Sequence, residues 1–139
     1  MGIRMACDIM LGSLARHLRA LGFDVVVFPF EGKIFRPSLG ERVLITRKKA
    51  LRELFPKIVV LNSEILKSQL KELKESIGLQ IDPSQLFTRC LECNSLLTRA
   101  DEDLYRGRIP EYIQLLHRGQ VRYCETCDRF FWPGTHRRH

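Results

Sequence analysis

Four cysteines, arranged as two matched pairs, are the residues of this sequence whose types and spacing most clearly suit a chemical role. Cys90 and Cys93 form one Cys-x-x-Cys pair, and Cys124 and Cys127 form a second pair after thirty intervening residues. A two-residue spacer lets a tight turn present two sulfurs together, and four thiolates complete the tetrahedral shell of Zn²⁺. No coordination position then remains for water or a substrate. The spacing therefore predicts a structural zinc site.

Two other uses of these cysteines are weaker hypotheses. Disulfides are rare in a reducing cytoplasm, and we expect a cytoplasmic protein because nothing at the N-terminus resembles a signal peptide. A single Cys-x-x-Cys is typical of a redox pair, but two matched pairs favour metal binding. The fifth cysteine, Cys7, lies in an apolar run and is most simply a small buried residue.

The charge balance favours a polyanionic partner. Lys and Arg total 23 against 16 Asp and Glu, which gives a formal net charge of +7. Neutralisation of phosphates dominates such binding, so nucleic acid is the first expected partner. A basic protein with no such partner is the alternative that charge alone leaves open. No apolar run reaches transmembrane length, so we expect no membrane partner.

The order of apolar patterns predicts a small α/β layer. Buried strands are expected at 3–7, 25–28, 43–45 and 58–61, and a helix with an i, i+3, i+4 stripe at 11–21, ended by Gly22. A basic helix is expected from Arg47 to Pro56, and another from an N-cap at Ser63, with Glu64 in its first turn, to Gly78. Strands that alternate with helices indicate a parallel sheet with flanking helices.

The character of the sequence changes near Phe87. Cysteine pairs, short β-prone pieces and a helix around 111–117 replace the alternation. This segment has too few apolar residues for a core of its own, and a metal would make up the deficit. We therefore predict an α/β domain at 1–86 and a four-cysteine zinc ribbon at 87–139.

Several polar residues should meet at the carboxyl ends of the strands, where open parallel sheets bind ligands. Asp8 follows the first strand, Glu31 the second, residues 46–48 the third, and residues 62–64 the fourth. Asp8 and Glu31 would supply two oxygen ligands to Mg²⁺ or Mn²⁺, with Glu64 as a distant third. An aspartate after a strand is also a common helix cap, which is the alternative for Asp8. Asp24 should lie at the opposite edge as a turn or strand-entry residue.

Longer motifs carry a family resemblance across almost the whole chain. They are Asp8-Ile9-Met10-Leu11-Gly12, Leu21-Gly22-Phe23-Asp24, Leu44-Ile45-Thr46-Arg47, Phe87-Thr88-Arg89-Cys90-Leu91-Glu92-Cys93-Asn94, Arg108-Ile109-Pro110 and Trp132-Pro133-Gly134-Thr135-His136. In these the chain resembles the Mut-seven C-terminal RNase domain family. The resemblance implies a PIN-like ribonuclease sheet with an appended zinc ribbon, RNA as substrate class, and Asp8 as a catalytic acid that binds Mg²⁺ or Mn²⁺.

The chain departs from the family pattern at the acids. The family usually has an aspartate after the Thr-Arg pair, where this chain has Lys48, and usually carries acids and a helix between strands two and three. Here residues 29–42 contain only Glu31 and Glu41. A missing acid removes a metal ligand, and a lysine in its place repels a cation.

Two hypotheses of different classes follow. The first is a Mg²⁺- or Mn²⁺-dependent ribonuclease, with Asp8 as the principal ligand and Glu31 as the second. The second is an RNA-binding module that kept the scaffold without the chemistry. Its phosphate-binding residues would be basic side chains of both parts, each of which is alternatively a solvated surface residue: Arg16, Arg47, Lys48, Lys49, Arg89, Arg129, Arg137 and Arg138. A protein-interaction role for the ribbon is a third possibility.

Overall fold

A computed structural model describes residues 2–29, 41–53, 55 and 57–134. Two sheets organise the chain. The strands of the first sheet are β1 (Arg4–Asp8), β2 (Asp24–Phe28), β3 (Val43–Thr46) and β4 (Ile58–Val60), with helices α1 (Gly12–Ala20) and α2 (Leu66–Ile77). The second part contains β5 (Thr98–Arg99), α3 (Glu102–Tyr105), α4 (Glu111–Leu116), β6 (Arg122–Cys124) and β7 (Arg129–Phe131).

The first sheet is entirely parallel, in the order β2-β1-β3-β4, which confirms the predicted α/β layer. Its strands are short apolar runs because helices and loops cover both faces. The larger core lies between the sheet and the two helices, and it includes Met5, Leu14, Leu18, Ile45, Leu61 and Leu73. A smaller cluster on the other face contains Ala6, Leu44 and Leu51. β1 and β3 are the central strands, so their carboxyl ends lie in the middle of one edge.

Helix α1 follows the predicted apolar stripe and ends at the predicted glycine. Gly22 has φ +98 and its N–H donates to the carbonyl of Arg19 at 2.9 Å. A side chain is disfavoured at this φ, and a Cβ there would also collide with the backbone carbonyl of Gln85. The close approach brings the segment before the ribbon against the end of α1.

The expected helix after β3 is wrong. Among the described residues of that stretch, 47–53 and 55, the helical structure is a single 3₁₀ turn, Lys49–Leu51, and Lys48 before it is extended, with ψ 102. The stretch is short and begins with three adjacent positive charges, so it cannot repay the cost of helix nucleation. Pro56 lies outside the described residues.

The expected N-cap of α2 is also wrong. The N-cap position is Ile65, and Ser63 instead accepts a hydrogen bond from the Ile65 N–H at 3.0 Å in a local turn. Serine favours such turns as well as caps, because its hydroxyl competes for nearby backbone groups. Glu64 therefore lies before the helix rather than in its first turn. The predicted end is confirmed, since Gly78 has φ +65 and its N–H donates to the Lys74 carbonyl.

The ribbon is an antiparallel sheet in the order β5-β6-β7, carrying two short helices. Helix α4 confirms the helix expected around 111–117. Helix α3 was not anticipated, although Asp101 caps it by accepting the Leu104 N–H at 2.9 Å. A small apolar cluster formed by Ala100, Tyr105, Ile109, Ile113 and Val121 supports the ribbon beside the cysteines. The division at residue 86 itself stays a prediction.

Buried hydrogen bonds fasten the first cysteine turn of the ribbon to β2, an edge strand of the parallel sheet. Arg19, which is almost fully buried, donates from Nε to the Val25 carbonyl at 2.9 Å and from Nη1 to the Leu91 carbonyl at 2.7 Å. The side chain of Asn94 accepts the Val25 N–H at 2.9 Å. Both outward backbone groups of Val25 are thereby satisfied, and the ribbon covers part of a sheet edge.

Asn94 reaches a second partner at the start of β2. Its Nδ2 donates to Asp24 Oδ1 at 2.7 Å, and Arg42 Nη1 donates to the same oxygen at 2.8 Å. Partial burial alone would raise the pKa of Asp24, but the hydrogen bonds from Arg42 and Asn94 bring that pKa below its usual value. Asp24 lies at the amino edge of the sheet, as predicted, and joins the ribbon to the sheet there.

Replacing Asn94 by glycine should destabilise the junction selectively. Asn94 has φ +72, which glycine adopts without strain, so Asn94→Gly removes only the side-chain contacts. With the buried Val25 N–H left unsatisfied, we expect a loss of about 2 kcal/mol in urea unfolding. Hydrogen exchange at β2 should become faster.

Asp128 supplies the matched control for this substitution. It directly follows Cys127, as Asn94 follows Cys93, and has φ +54. Its side chain is exposed and accepts hydrogen bonds from Arg108 and Tyr123. Asp128→Gly should cost less stability and leave exchange at β2 unchanged. Equal losses in the two variants, with no change at β2, would contradict the proposed fastening.

Candidate functional site

Asp8 lies at the carboxyl end of central strand β1 and is 1% exposed. Its Oδ1 accepts the Met10 N–H at 3.3 Å, which caps the 3₁₀ turn Ile9–Leu11, and its Oδ2 accepts the Thr46 hydroxyl at 2.8 Å. Thr46 is fully buried at the end of β3, the neighbouring strand. The carboxylate is therefore held in one orientation, and the helix-cap interpretation of Asp8 is correct as far as it goes.

Lys48 reaches this carboxylate from the loop after β3. Its Nζ lies 3.8 Å from Asp8 Oδ2, and its N–H donates to Thr46 Oγ1 at 3.1 Å. The Lys48 side chain is 47% exposed, so its outer part meets solvent. Residue order had led us to expect Lys48 to point toward Asp8, and the geometry agrees. An acidic site with a cation beside it is thus the centre of this edge.

Glu64, the distant third ligand, does not join Asp8. Its Oε1 lies 3.4 Å from Arg47 Nη1 in an exposed ion pair. Glu31, the predicted second ligand, falls outside the described residues. Among residues 2–29, 41–53, 55 and 57–134, the only group of three or more side chains of metal-binding type is the four cysteines. Mg²⁺ and Mn²⁺ require several oxygen ligands, so the described part of this edge does not fit a catalytic divalent cation.

Basic side chains surround the site on the β3 and β4 side. Lys49 and Arg52, with Asn62, line an open cavity of about 620 Å³. The loop that carries Asn62 is fixed because its backbone N–H and that of Ser63 both donate to the Glu72 carboxylate of α2, at 2.9 and 3.1 Å. We call Arg47, Lys48, Lys49 and Arg52 the basic edge. Arg52 was not among the predicted RNA-binding residues, although it lies four residues after Lys48. No pattern in the sequence indicated the role of Glu72.

Arg16 and Arg89 lie away from the basic edge. Arg16 pairs with Glu92 in the first cysteine turn, and Arg129 Nη1 lies 3.6 Å from the same Glu92 carboxylate. Arg89 donates to the Asn94 carbonyl at 3.0 Å and lines a cavity of about 460 Å³ at the amino ends of the strands. The structure therefore does not bring these two arginines together with Lys48. Arg137 and Arg138 lie outside the described residues.

The four cysteines of the ribbon converge. Their Sγ atoms all lie within 4.8 Å of one another, with Cys93 to Cys124 at 3.5 Å and Cys90 to Cys127 at 3.9 Å. A tetrahedron with metal–sulfur bonds of about 2.3 Å has sulfur–sulfur edges of about 3.8 Å. These residues can therefore hold a metal ion, and their geometry is consistent with structural zinc.

The protonation of the four thiols reflects their crowding. For Cys93, burial raises the pKa, but hydrogen bonding with the side chain and backbone of Ser95 outweighs that effect, and the pKa is lowered to about 6. The neighbouring Cys93 sulfur, followed by burial, raises the pKa of Cys127 to about 12. One thiolate thus opposes the ionisation of its neighbours, and a bound cation would remove that opposition.

The model of the Mut7-C RNAse domain matches residues 3–139. The chain belongs to the Mut7-C RNAse domain family. Neither a curated protein nor a solved structure matches it. In the part of the chain that the structure describes, none of the helices combines the length and apolar character that crossing a bilayer requires.

Membership in this family makes the chain a ribonuclease-like domain. Its four ribbon cysteines form a group that could hold a metal ion. In this Mut7-C domain the acid of β1 is present, and it faces Lys48 Nζ at 3.8 Å. The two parts of the site differ in character, because the cysteine cluster has all four ligands while the Asp8 edge has one described carboxylate. A metal ion at the four ribbon cysteines of this Mut7-C domain therefore gives no support to a catalytic metal ion beside Asp8.

We expect one zinc per chain, bound by Cys90, Cys93, Cys124 and Cys127. Elemental analysis of protein purified without chelator should find about one equivalent, and Cys93→Ser or Cys124→Ser should lose it. Because Leu91 and Asn94 attach the first turn to β2, removing the metal should speed hydrogen exchange at β2 as well as in the ribbon. Cys7→Ala, a change at the buried cysteine of β1, should retain the metal. Clearly less than one equivalent in the natural protein would contradict a zinc site.

Proposed function

We propose that this Mut7-C domain binds RNA at the carboxyl edge of its parallel sheet and does not cleave it by divalent-metal catalysis. The observation that carries the proposal is the placement of Lys48 Nζ 3.8 Å from the buried carboxylate of Asp8. A metal nuclease needs a second acid where this chain has a cation. RNA binding needs cations at an accessible edge, and the basic edge supplies them.

The support for RNA comes from charge and from family. The chain carries a net charge of +7, and two cations of the basic edge, Lys49 and Arg52, line the cavity beside Asn62 in the loop after β4. Lys49 and Arg52 are exposed, so phosphates can approach them without displacing packed side chains. A ribonuclease-like domain already implies a sheet edge shaped for RNA, and the substrate class is therefore the same for binding as for cleavage.

The support against metal catalysis is electrostatic. At an effective dielectric constant of about 20, a unit charge and a divalent cation about 4 Å apart repel each other by about 8 kcal/mol. Solvent around the half-exposed Lys48 reduces this value, and its flexible stem allows some retreat. By the same relation, one carboxylate at a bond length of about 2.1 Å attracts the ion by about 16 kcal/mol, so the ammonium cancels up to about half of that attraction. Hydrolysis through a metal-bound water is accordingly disfavoured at this edge.

The ribbon has a proposed structural role, with zinc as the metal, in a cytoplasmic protein whose thiols stay reduced.

A second candidate function belongs to helix α4 of the ribbon. Tyr112, Leu115 and Leu116 share one face of this helix and are all largely exposed. Exposed apolar clusters are typical of protein-interaction surfaces. Pull-down of a defined partner that Leu115→Ser abolishes, with RNA affinity unchanged, would support this second function.

RNA affinity should fall steeply with salt. Each phosphate neutralised by a lysine releases counterions, so Lys48→Ala with Lys49→Ala should weaken binding and flatten the slope of log affinity against log salt by about one to two units. Fluorescence anisotropy with labelled RNA over a salt series measures both. Lys74→Ala, at an exposed position in the last turn of α2, is the control. Unchanged affinity and slope in the double variant would exclude the basic edge.

Converting Lys48 to aspartate should move the site toward nuclease chemistry. Lys48→Asp restores the acid that the family usually has after its Thr-Arg pair, and it removes the repelling ammonium. We expect the natural protein to leave labelled RNA intact with Mn²⁺, and Lys48→Asp to gain Mn²⁺-dependent cleavage that Asp8→Asn then abolishes. Brisk Mg²⁺-dependent cleavage by the natural protein, lost in Asp8→Asn, would overturn the proposed function.

A further inference from the structure

The described residues of the Asp8 edge fit an ammonium group and not a divalent cation. From this disagreement with the family's chemistry we infer that Lys48 serves as a built-in substitute for the metal. Asp8 is then a positioning residue that orients Lys48, and RNA phosphate is bound at this edge without Mg²⁺ or Mn²⁺. The RNA part of the inference rests on the proposed function, whereas the exclusion of metal by Lys48 does not.

Both oxygens of the Asp8 carboxylate already have partners within the protein. Oδ1 accepts the Met10 N–H, and Oδ2 accepts the Thr46 hydroxyl with Lys48 Nζ 3.8 Å away. A carboxylate this deeply buried requires hydrogen-bond donors and a positive neighbour. The described contacts provide both from the protein itself. A metal ion approaching Oδ2 would have to displace the ammonium before it could bind.

Thr46 fixes Lys48 relative to Asp8. Its hydroxyl donates to Asp8 Oδ2 and accepts the Lys48 N–H at 3.1 Å, so one buried side chain contacts both members of the pair. Lys48 is extended and immediately precedes the 3₁₀ turn Lys49–Leu51, which fixes where its side chain starts. The ammonium is therefore positioned by the fold before any ligand arrives, as a metal would be by its ligands.

The charges of the edge are suitable for a phosphate without a metal. Asp8 with Lys48 and Glu64 with Arg47 form two pairs with no net charge. Lys49 and Arg52 share their cavity with Glu53, which leaves an excess of one positive charge among these seven side chains. If the ammonium of Lys48 were lost, Asp8 would face the phosphate as an uncompensated anion. Phosphate binding would then need another cation, and a divalent ion could occupy the vacated position beside Asp8.

A double-mutant cycle tests this substitution directly. The zinc-loaded proteins are the natural chain, Lys48→Ala, Asp8→Asn and the double variant, with Lys74→Ala as a control for general loss of charge. The first measurement is Mn²⁺ binding, followed by electron paramagnetic resonance of the free ion, with zinc content checked before and after. We expect at most weak binding by the natural chain and the control, at least about tenfold tighter binding by Lys48→Ala, and loss of that gain in the double variant.

The second measurement is RNA affinity with and without Mn²⁺. The natural chain should bind equally well in both conditions, apart from the general ionic competition that Lys74→Ala reports. Lys48→Ala should bind about tenfold more weakly without Mn²⁺ and recover when the ion is added. The double variant should regain binding without Mn²⁺ and gain nothing from it, because neither the anion nor its counterion remains.

Two results would overturn the inference. One is tight Mn²⁺ binding by the natural chain that Asp8→Asn removes, since the metal site would then be intact. The other is a Lys48→Ala variant with unchanged Mn²⁺ binding. Lys48 is a half-exposed loop residue, and urea unfolding of each variant checks that the fold tolerates the loss of the charge beside Asp8. If no variant binds RNA, the proposed function fails, while the Mn²⁺ measurement still decides whether Lys48 replaces the metal.

Discussion

The burial of the Asp8 carboxylate is the constraint on which the carboxyl edge of this sheet depends. A charged group removed from water must be hydrogen-bonded and paired with an opposite charge, because an unpaired buried charge strongly destabilises the folded state. Asp8 meets this requirement with groups from three places: the turn after its own strand, the end of the neighbouring strand β3, and the loop beyond it. The same contacts start the turn that leads into α1, fix Thr46, and orient Lys48. Local structure and site geometry here have one electrostatic cause.

A second set of buried contacts joins the ribbon directly to the edge of the parallel sheet. Val25 lies on edge strand β2, and its outward N–H and carbonyl are bound by Asn94 and Arg19. Arg19 also holds the carbonyl of Leu91, within the first cysteine turn. A metal held by the cysteines thus stabilises the geometry of a turn whose polar groups complete the edge of the parallel sheet. The ribbon protects that edge from pairing with other strands.

The sequence was sufficient for the features that depend on short-range patterns. Apolar runs placed the four parallel strands within a residue or two, Gly22 and Gly78 marked both helix ends, and the cysteine spacing identified a cluster that can hold a metal. It was insufficient where a side chain chooses between competing partners. Ser63 suited a cap and made a local turn instead, and the basic run after β3 had helical composition without enough length to nucleate.

Long-range contacts of polar residues were beyond sequence reasoning for a different reason. Arg19 is buried although it is charged, because its guanidinium donates to the carbonyl of Val25 and to that of Leu91, 72 residues later in the chain. Asn94 contacts residues about seventy positions earlier. Neither contact leaves a periodic signal, since each depends on where the ribbon docks. Arg16 and Arg89 were grouped with Lys48 by charge alone, and the fold separates them by directing each toward the ribbon.

Asp8 shows why one acid at the end of a strand does not by itself identify a nuclease. Its cap on the Met10 N–H and its bond to Thr46 stabilise the fold whether or not a metal binds. A chain that lost metal chemistry would still need a hydrogen-bonding group here, because Thr46 and the turn would otherwise lose a buried partner. Packing constrains position 48 less than position 8, since about half of the Lys48 side chain is in solvent. The residue at 48 therefore reports on the chemistry of this edge, while the residue at 8 reports mainly on its architecture.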